Sequence, residues 1–370
     1  MGGPISAASP PRTRPAGRGK HPLGTRRYGN RATASSPKGQ QPVKGSEAGG
    51  EAVVFVAGAP RPSGGHRARV LRKRQAMFGT SDLVLRHAAA ALPAHAGYAL
   101  TRRVTPMLGG ERRRFVASVV AEKARSLLGN DALAAAAGDR FVTEIACDDL
   151  DAITAVRWNE TARLAATKVE GAEHLPDDGP AIVTSFHFSG GFRVFDVLRR
   201  HGLRPTFLHA PPRVPPAGYD RAIGRMRNRH LKATLDPPWV EPGPDARKIL
   251  GRTFDQGGVV VALLDVAPAL LGLRDFTECR LFGRSLRLPV GLLRMAASQG
   301  VPVVPYDGRV ENDRRVLEFL APARGDDAPS MLREILVTAE RIIQARPWSW
   351  QAWLDLDALF DPETGVTFPS

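Results

Sequence analysis

The stretch "AIVTSFHFSGGFRVFDVLRRHG", residues 181–202, decides the fold. A short run of apolar and small residues leads to His187. Ser189, Gly190 and Gly191 then form a turn, and an amphipathic segment follows that ends in basic residues and Gly202. A continuous apolar run of this length fits a strand covered on both faces, and a glycine after a basic last turn fits a helix stop. Outward from this unit the same alternation recurs in "RPTFLHA", "GYDRAIGRMRNRHL", "DARKILGRTFDQGG", "VVVALLDVA", "LPVGLLRMAASQG", "VPVVPYDGRV" and "RRVLEFLAP". Gly257, Gly258 and Gly300 fall where helices should stop. Residues 169–370 are therefore expected to be α/β, with a mixed, mostly parallel sheet covered by helices.

Upstream, residues 77–168 lack strand-like runs and are expected to form an all-helical lead packed with the sheet as one unit. In "RRRFVASVVAEKARSLLG" Phe115, Val119, Val120 and Ala124 recur near helical spacing, which predicts the buried face. Residues 78–108 mix Leu, Val, Ala and Tyr with Arg86, Arg102 and Arg103. Two readings stand for them: a helix lying flat on a membrane surface, or one packed on the domain.

Residues 1–76 hold fifteen Lys/Arg against two acids, Glu47 and Glu51, and so carry +13 of the formal +15. Their Gly, Pro and Ser content and lack of apolar periodicity predict a disordered basic tail. It is either an electrostatic arm or sequence upstream of a true start at Met77. Nucleic-acid binding would rest on this tail alone, because the body has no interleaved aromatics and no recognisable module, which argues against nucleic acid as a partner.

Several classes are excluded by what the chain does not contain. There is no signal-peptide pattern and no apolar run of spanning length. Cys147 and Cys279 are isolated, so neither a disulfide framework nor a metal site is expected. Gly-x-Ser-x-Gly, a phosphate loop and a dinucleotide fingerprint are missing, which sets aside hydrolase, kinase and dehydrogenase readings.

An imidazole at a strand end, beside glycines that admit a substrate to the backbone, suits a general base acting on a hydroxyl. Asp265 ends the strand "VVVALLD" in the same manner as His187 ends its own. Taken in order, "HFSGGF", "LLDVAP", "LFGRSLRLPVGLLRMAASQGVPVVPY" and "ARPWSWQAW" resemble blocks of the lysophospholipid acyltransferase superfamily, in particular the bacterial lipid A biosynthesis lauroyl/myristoyl acyltransferases. The resemblance spans roughly residues 144–353. Phe282, Gly283, Arg284, Pro289, Gly291, Ala296, Gly300, Pro302 and Pro305 match in the third block, and Pro347, Trp350 and Trp353 in the last.

The resemblance implies transfer of a fatty acyl group from an acyl carrier protein or CoA thioester to a hydroxyl or amine of a glycolipid or related polar lipid. No cofactor or metal would be needed, and the work would be done peripherally at the cytoplasmic face of the inner membrane. It implies His187 as general base, an arginine from "RAIGRMRNRHL", here Arg227, as an oxyanion partner, and Ser189, Gly190, Gly191, Gly283, Arg284 and Arg287 as substrate-binding positions. The chain departs from the family's His-x4-Asp/Glu at Phe192, where the orienting carboxylate should stand. Asp196, one turn further on, and Asp265, across the sheet, are the two acids open to replace it. If neither does, either His187 works alone on an intrinsically reactive thioester or the protein is a catalytically impaired acyl- or lipid-binding relative.

Overall fold

The computed structural model describes residues 78–209, 218–237, 239–243, 245–266 and 276–360. The basic tail, the proposed start at Met77 and residues 361–370 lie outside the described residues. Five helices come first: α1 (Thr80–Ala89), α2 (Ala94–Met107), α3 (Glu111–Leu128), α4 (Asp131–Arg157) and α5 (Glu160–Ala165). They are followed by β1 (Thr167–Glu170), β2 (Ala181–Ser185), α6 (Arg193–Arg200), β3 (Pro205–Leu208), α7 (Gly218–Thr234), α8 (Ala246–Asp255) and β4 (Val259–Leu263). A hairpin of β5 (Phe276–Leu281) and β6 (Arg284–Pro289) precedes α9 (Gly291–Gln299), β7 (Val303–Glu311), β8 (Arg314–Phe319), α10 (Ala328–Ala345) and a short α11 (Leu356–Leu359).

The six-stranded sheet has the order β1-β8-β7-β2-β4-β3. β7, β2, β4 and β3 are mutually parallel, β8 runs antiparallel to β7, and β1 is parallel to β8. This is the mixed, mostly parallel sheet expected from the apolar runs. The central strands read as continuous apolar sequence because both faces are covered. On β2, Ile182 joins one core with Val260, Ala262 and Val303, packed by α8, α9, α10 and the helical lead. Ala181 and Val183 join the other with Val259 and Val261, under Val194, Phe195 and Leu198 of α6.

Helix ends follow local chemistry. Asn130 caps α4 by accepting from the Leu133 amide (3.0 Å), and Asn159 caps α5 by accepting from the Ala162 amide (2.8 Å). Gly300 closes α9 at φ 64°, as the sequence predicted. One expectation needs correcting in part. The buried stripe of α3 is Val116, Val120, Ala124 and Leu127, which keeps the predicted Val120 and Ala124, whereas Phe115 is 41 % exposed and Val119 half-buried. Three consecutive arginines before Phe115 gave the periodicity no clear phase. The "LFGRS" segment is a tight hairpin turn: Phe282 and Gly283 both have positive φ (51° and 73°) between the paired Leu281 and Arg284, as a two-residue hairpin loop requires.

α1 and α2 pack inward on α4 through Ala89, Ala90 and Tyr98, while Val84 and Met107 face outward. Among the described residues, no helix is long and apolar enough to cross a membrane.

Candidate active site

The site lies at the carboxyl ends of the parallel strands, where open α/β sheets place their ligands. β2 and β4 pair with Ser185 opposite Leu263, and the Leu264 amide donates to the Ser185 carbonyl (2.9 Å). Two residues further along each strand, His187 and Asp265 therefore stand side by side. His187 Nδ1 is 2.7 Å from Asp265 Oδ1, and the His187 amide donates to both carboxylate oxygens at 2.9 Å. The Asp265 side chain is 1 % exposed and that of His187 is 39 % exposed, so the acid is sealed and the imidazole remains reachable. Trp350 Nε1 donates to Asp265 Oδ2 (2.8 Å), and the Gln351 amide donates to the His187 carbonyl (2.8 Å).

Of the two acids open to replace the family carboxylate, Asp265 is the one that meets His187. Asp196 faces away into the core, where Arg163 holds it with two bonds of 2.8 and 2.7 Å. Phe192 sits at the start of α6 with its ring 6.2 Å from that of Phe207 and 6.3 Å from that of Phe195. The Arg227 guanidinium lies over it at 5.3 Å. Its place is part of an aromatic wall, and the acid that meets His187 comes from the end of β4. Phe192→Glu is accordingly expected to cost on the order of 2 kcal/mol in stability, because a carboxylate would replace packed rings; urea midpoints check it.

His187, Gly190, Gly191 and Arg227 line one pocket with Phe188, Phe192, Phe207 and Tyr306. The described residues enclose about 60 Å³, less than the ~300 Å³ and upward typical of sites that hold a whole small ligand. Arg227 is tied to Asp149 Oδ1 (3.2 Å) on α4. His209, at the end of β3 and stacked on Phe207 at 5.0 Å, is a second imidazole in the neighbourhood. Burial first, and then the proximity of His187, lower its pKa.

Beneath the glycine turn lies a buried ionic network that sequence reasoning missed. Asp148 of α4 accepts from the Gly190 amide (2.8 Å), from Arg315 Nη2 (3.0 Å) and from the Gln351 side chain. Asp151, one turn on, pairs with Arg315 (2.5 Å) and Arg193 Nε (3.2 Å) and accepts from the Tyr98 hydroxyl. Arg315 also explains Gly190, whose φ is +80° and where a Cβ would lie 2.8 Å from Arg315 Cδ. The only signal in the sequence was the density of acids in "DDLD", whose partners come from distant parts of the chain.

Burial raises the Asp148 pKa to about 6, against the opposing pull of Arg315. The neutral form is thus favoured in the folded state. The associated stability is fully present below the ordinary value of 3.8 and is lost as pH rises through about 6. Asp148→Asn should remove this slope, so the parent gains on the order of 2–3 kcal/mol relative to the variant between pH 7 and 4. Urea midpoints of both proteins across that range test it; parallel curves would exclude the linkage.

Not every predicted site residue gathers here. Ser189 is fully buried, with its carbonyl packed against Gly308 of β7, where a Cβ would lie 1.9 Å away, so it is no substrate contact. The Gly190 amide is engaged by Asp148 and is not a donor for an oxyanion. Gly283, Arg284 and Arg287 belong to the β5–β6 hairpin. The Arg284 guanidinium donates to Ser126 of α3, to both its carbonyl and its Oγ (3.1 Å to the latter), and the Phe282 amide donates to Glu340 of α10 (2.5 Å). The hairpin residues anchor a ribbon to the helices, away from the pocket lining.

The fold and site define an α/β protein with a histidine–aspartate pair at the sheet's carboxyl edge. Comparison with protein-family models and with curated protein sequences gives no match.

Proposed function

We propose that the protein is an acyltransferase that moves a fatty acyl group from an acyl carrier protein or CoA thioester to a hydroxyl or amine of a polar lipid. The observation that carries this reading is the 2.7 Å contact between His187 Nδ1 and the buried Asp265, with Arg227 reaching the same pocket. Asp265 fixes the ring and stabilises the imidazolium that forms. Nε2 takes the proton from the acceptor as its oxygen or nitrogen attacks the thioester carbonyl. Arg227 offsets charge on the tetrahedral oxyanion, the term on which such reactions depend most. The intermediate then collapses and expels the thiolate, which leaves as the thiol with the proton held on His187. The pocket takes the reacting end of the donor, and the chain beyond it lies outside these walls.

The reading places the work at the cytoplasmic face of a membrane, where a glycolipid or related lipid is the acceptor. The alternative is a relative that binds acyl chains without transferring them. It was motivated by Phe192, and Asp265 weakens that motive.

The test is thiol release by purified protein offered acyl carrier protein and CoA thioesters of graded chain length, with a bacterial lipid extract as acceptor. Release with lipid acylation, abolished in His187→Ala, is expected. Chain binding without release from any donor would leave only the alternative.

A further inference from the structure

We infer that Trp350 is a positioning residue for the His187–Asp265 pair, acting through its indole N–H and not merely through its bulk. A kinetic consequence rests on the acyl-transfer reading; the geometric one does not. The torsion that turns an aspartate carboxylate about its Cβ–Cγ bond is soft, so a partner on one oxygen alone would leave the carboxylate plane free to twist about that contact. In this site Oδ1 faces the His187 ring at 2.7 Å and Oδ2 accepts from Trp350 Nε1 at 2.8 Å, with the His187 amide bridging both oxygens at 2.9 Å. The indole is the one contact exclusive to Oδ2 among the described residues, and it holds the carboxylate plane in line with the imidazole.

Trp350 itself has no freedom to follow a wandering carboxylate. It is 0 % exposed and its ring packs edge-on to that of Trp353 at 4.8 Å. The next residue completes the arrangement, since the Gln351 amide holds the His187 carbonyl at 2.8 Å and its side chain reaches Asp148 below the glycine turn. Two consecutive residues thus clamp the acid, the base and the turn together. Trp353 provides an internal control: its Nε1 donates to the Pro347 carbonyl (2.6 Å), so it shares the aromatic packing but not the acid.

The experiment compares parent, Trp350→Phe and Trp353→Phe by proton NMR of the hydrogen-bonded His187 Nδ1–H and by steady-state kinetics. Trp350→Phe is expected to shift or broaden that resonance and to lower kcat by ~10-fold with KM within about twofold, the scale of one lost hydrogen bond to a charged group. Trp353→Phe should leave the resonance in place. Should Trp350→Phe not fold, benzothienylalanine at position 350 replaces the N–H by sulfur at nearly unchanged shape, and the same shift is expected. An unmoved resonance in the folded variant, or equal effects from both tryptophans, would reduce Trp350 to packing and overturn the inference. If no protein in the series transfers an acyl group yet the resonance responds as expected, the positioning role stands and the acyl-transfer reading falls.

Discussion

Asparagine in place of Asp265 is expected to lower kcat by about 10³–10⁴-fold with little change in KM, by analogy with the loss of the orienting acid in other histidine systems. The substitution keeps one oxygen to accept from Trp350 or the His187 amide, so the local fold should persist. Directed at Nδ1, however, the new amide group donates where the carboxylate accepted. The ring is then driven to the tautomer with its proton on Nε2, the nitrogen that has to take the acceptor's proton. The carboxylate's compensation of the imidazolium is lost at the same time, and its worth is large because the acid is 1 % exposed. The measurement is kcat and KM for thiol release by a variant whose circular dichroism matches the parent. A kcat within threefold of the parent would show that the pair is structural and that the proposed base works without it.

The second large effect is on stability. Arg315→Met should cost about 3–5 kcal/mol, because it strands the carboxylates of Asp148 and Asp151 in a fully buried setting. The loss should be smaller at pH 5 than at pH 7, since Asp148 already titrates near 6 with Arg315 present and must titrate higher without it. Adding Asp148→Asn to Arg315→Met removes one of the stranded charges and should recover part of the loss. Urea denaturation of the four proteins of this cycle measures the coupling. Additive effects would mean that the two side chains do not depend on each other.

These outcomes bear on what a sequence can disclose. The sheet was legible because strands buried on both faces read as near-continuous apolar runs: Val259–Leu263 is wholly apolar, and Ala181–Ser185 adds only the small hydroxyls of Thr184 and Ser185 at its end. Their ends were legible too: His187 and Asp265 each close an apolar run, two residues past the paired Ser185 and Leu263, and parallel pairing in register brings them together. Arg227 was identified as one of several arginines on one helix and does reach the pocket. What failed was whatever depended on distant partners. Asp196 looked available from its spacing, but its carboxylate belongs to Arg163, 33 residues earlier. The acids of α4 were opaque for the same reason, since Tyr98, Arg193 and Arg315 are remote in sequence. Arg284 and Arg287 were misplaced because a Phe-Gly pair in a turn looks the same whether it cradles a ligand or reverses a hairpin.

The order in which these groups occur along the chain has a bearing on biosynthesis. Asp265 follows its histidine by 78 residues, and the indole that steadies it arrives a further 85 residues later. A polypeptide still being translated can assemble the parallel strands and bring acid and base together well before Trp350 leaves the ribosome. During that interval the carboxylate lacks the anchor on its second oxygen, so the pair reaches its final geometry only once residue 350 has been made.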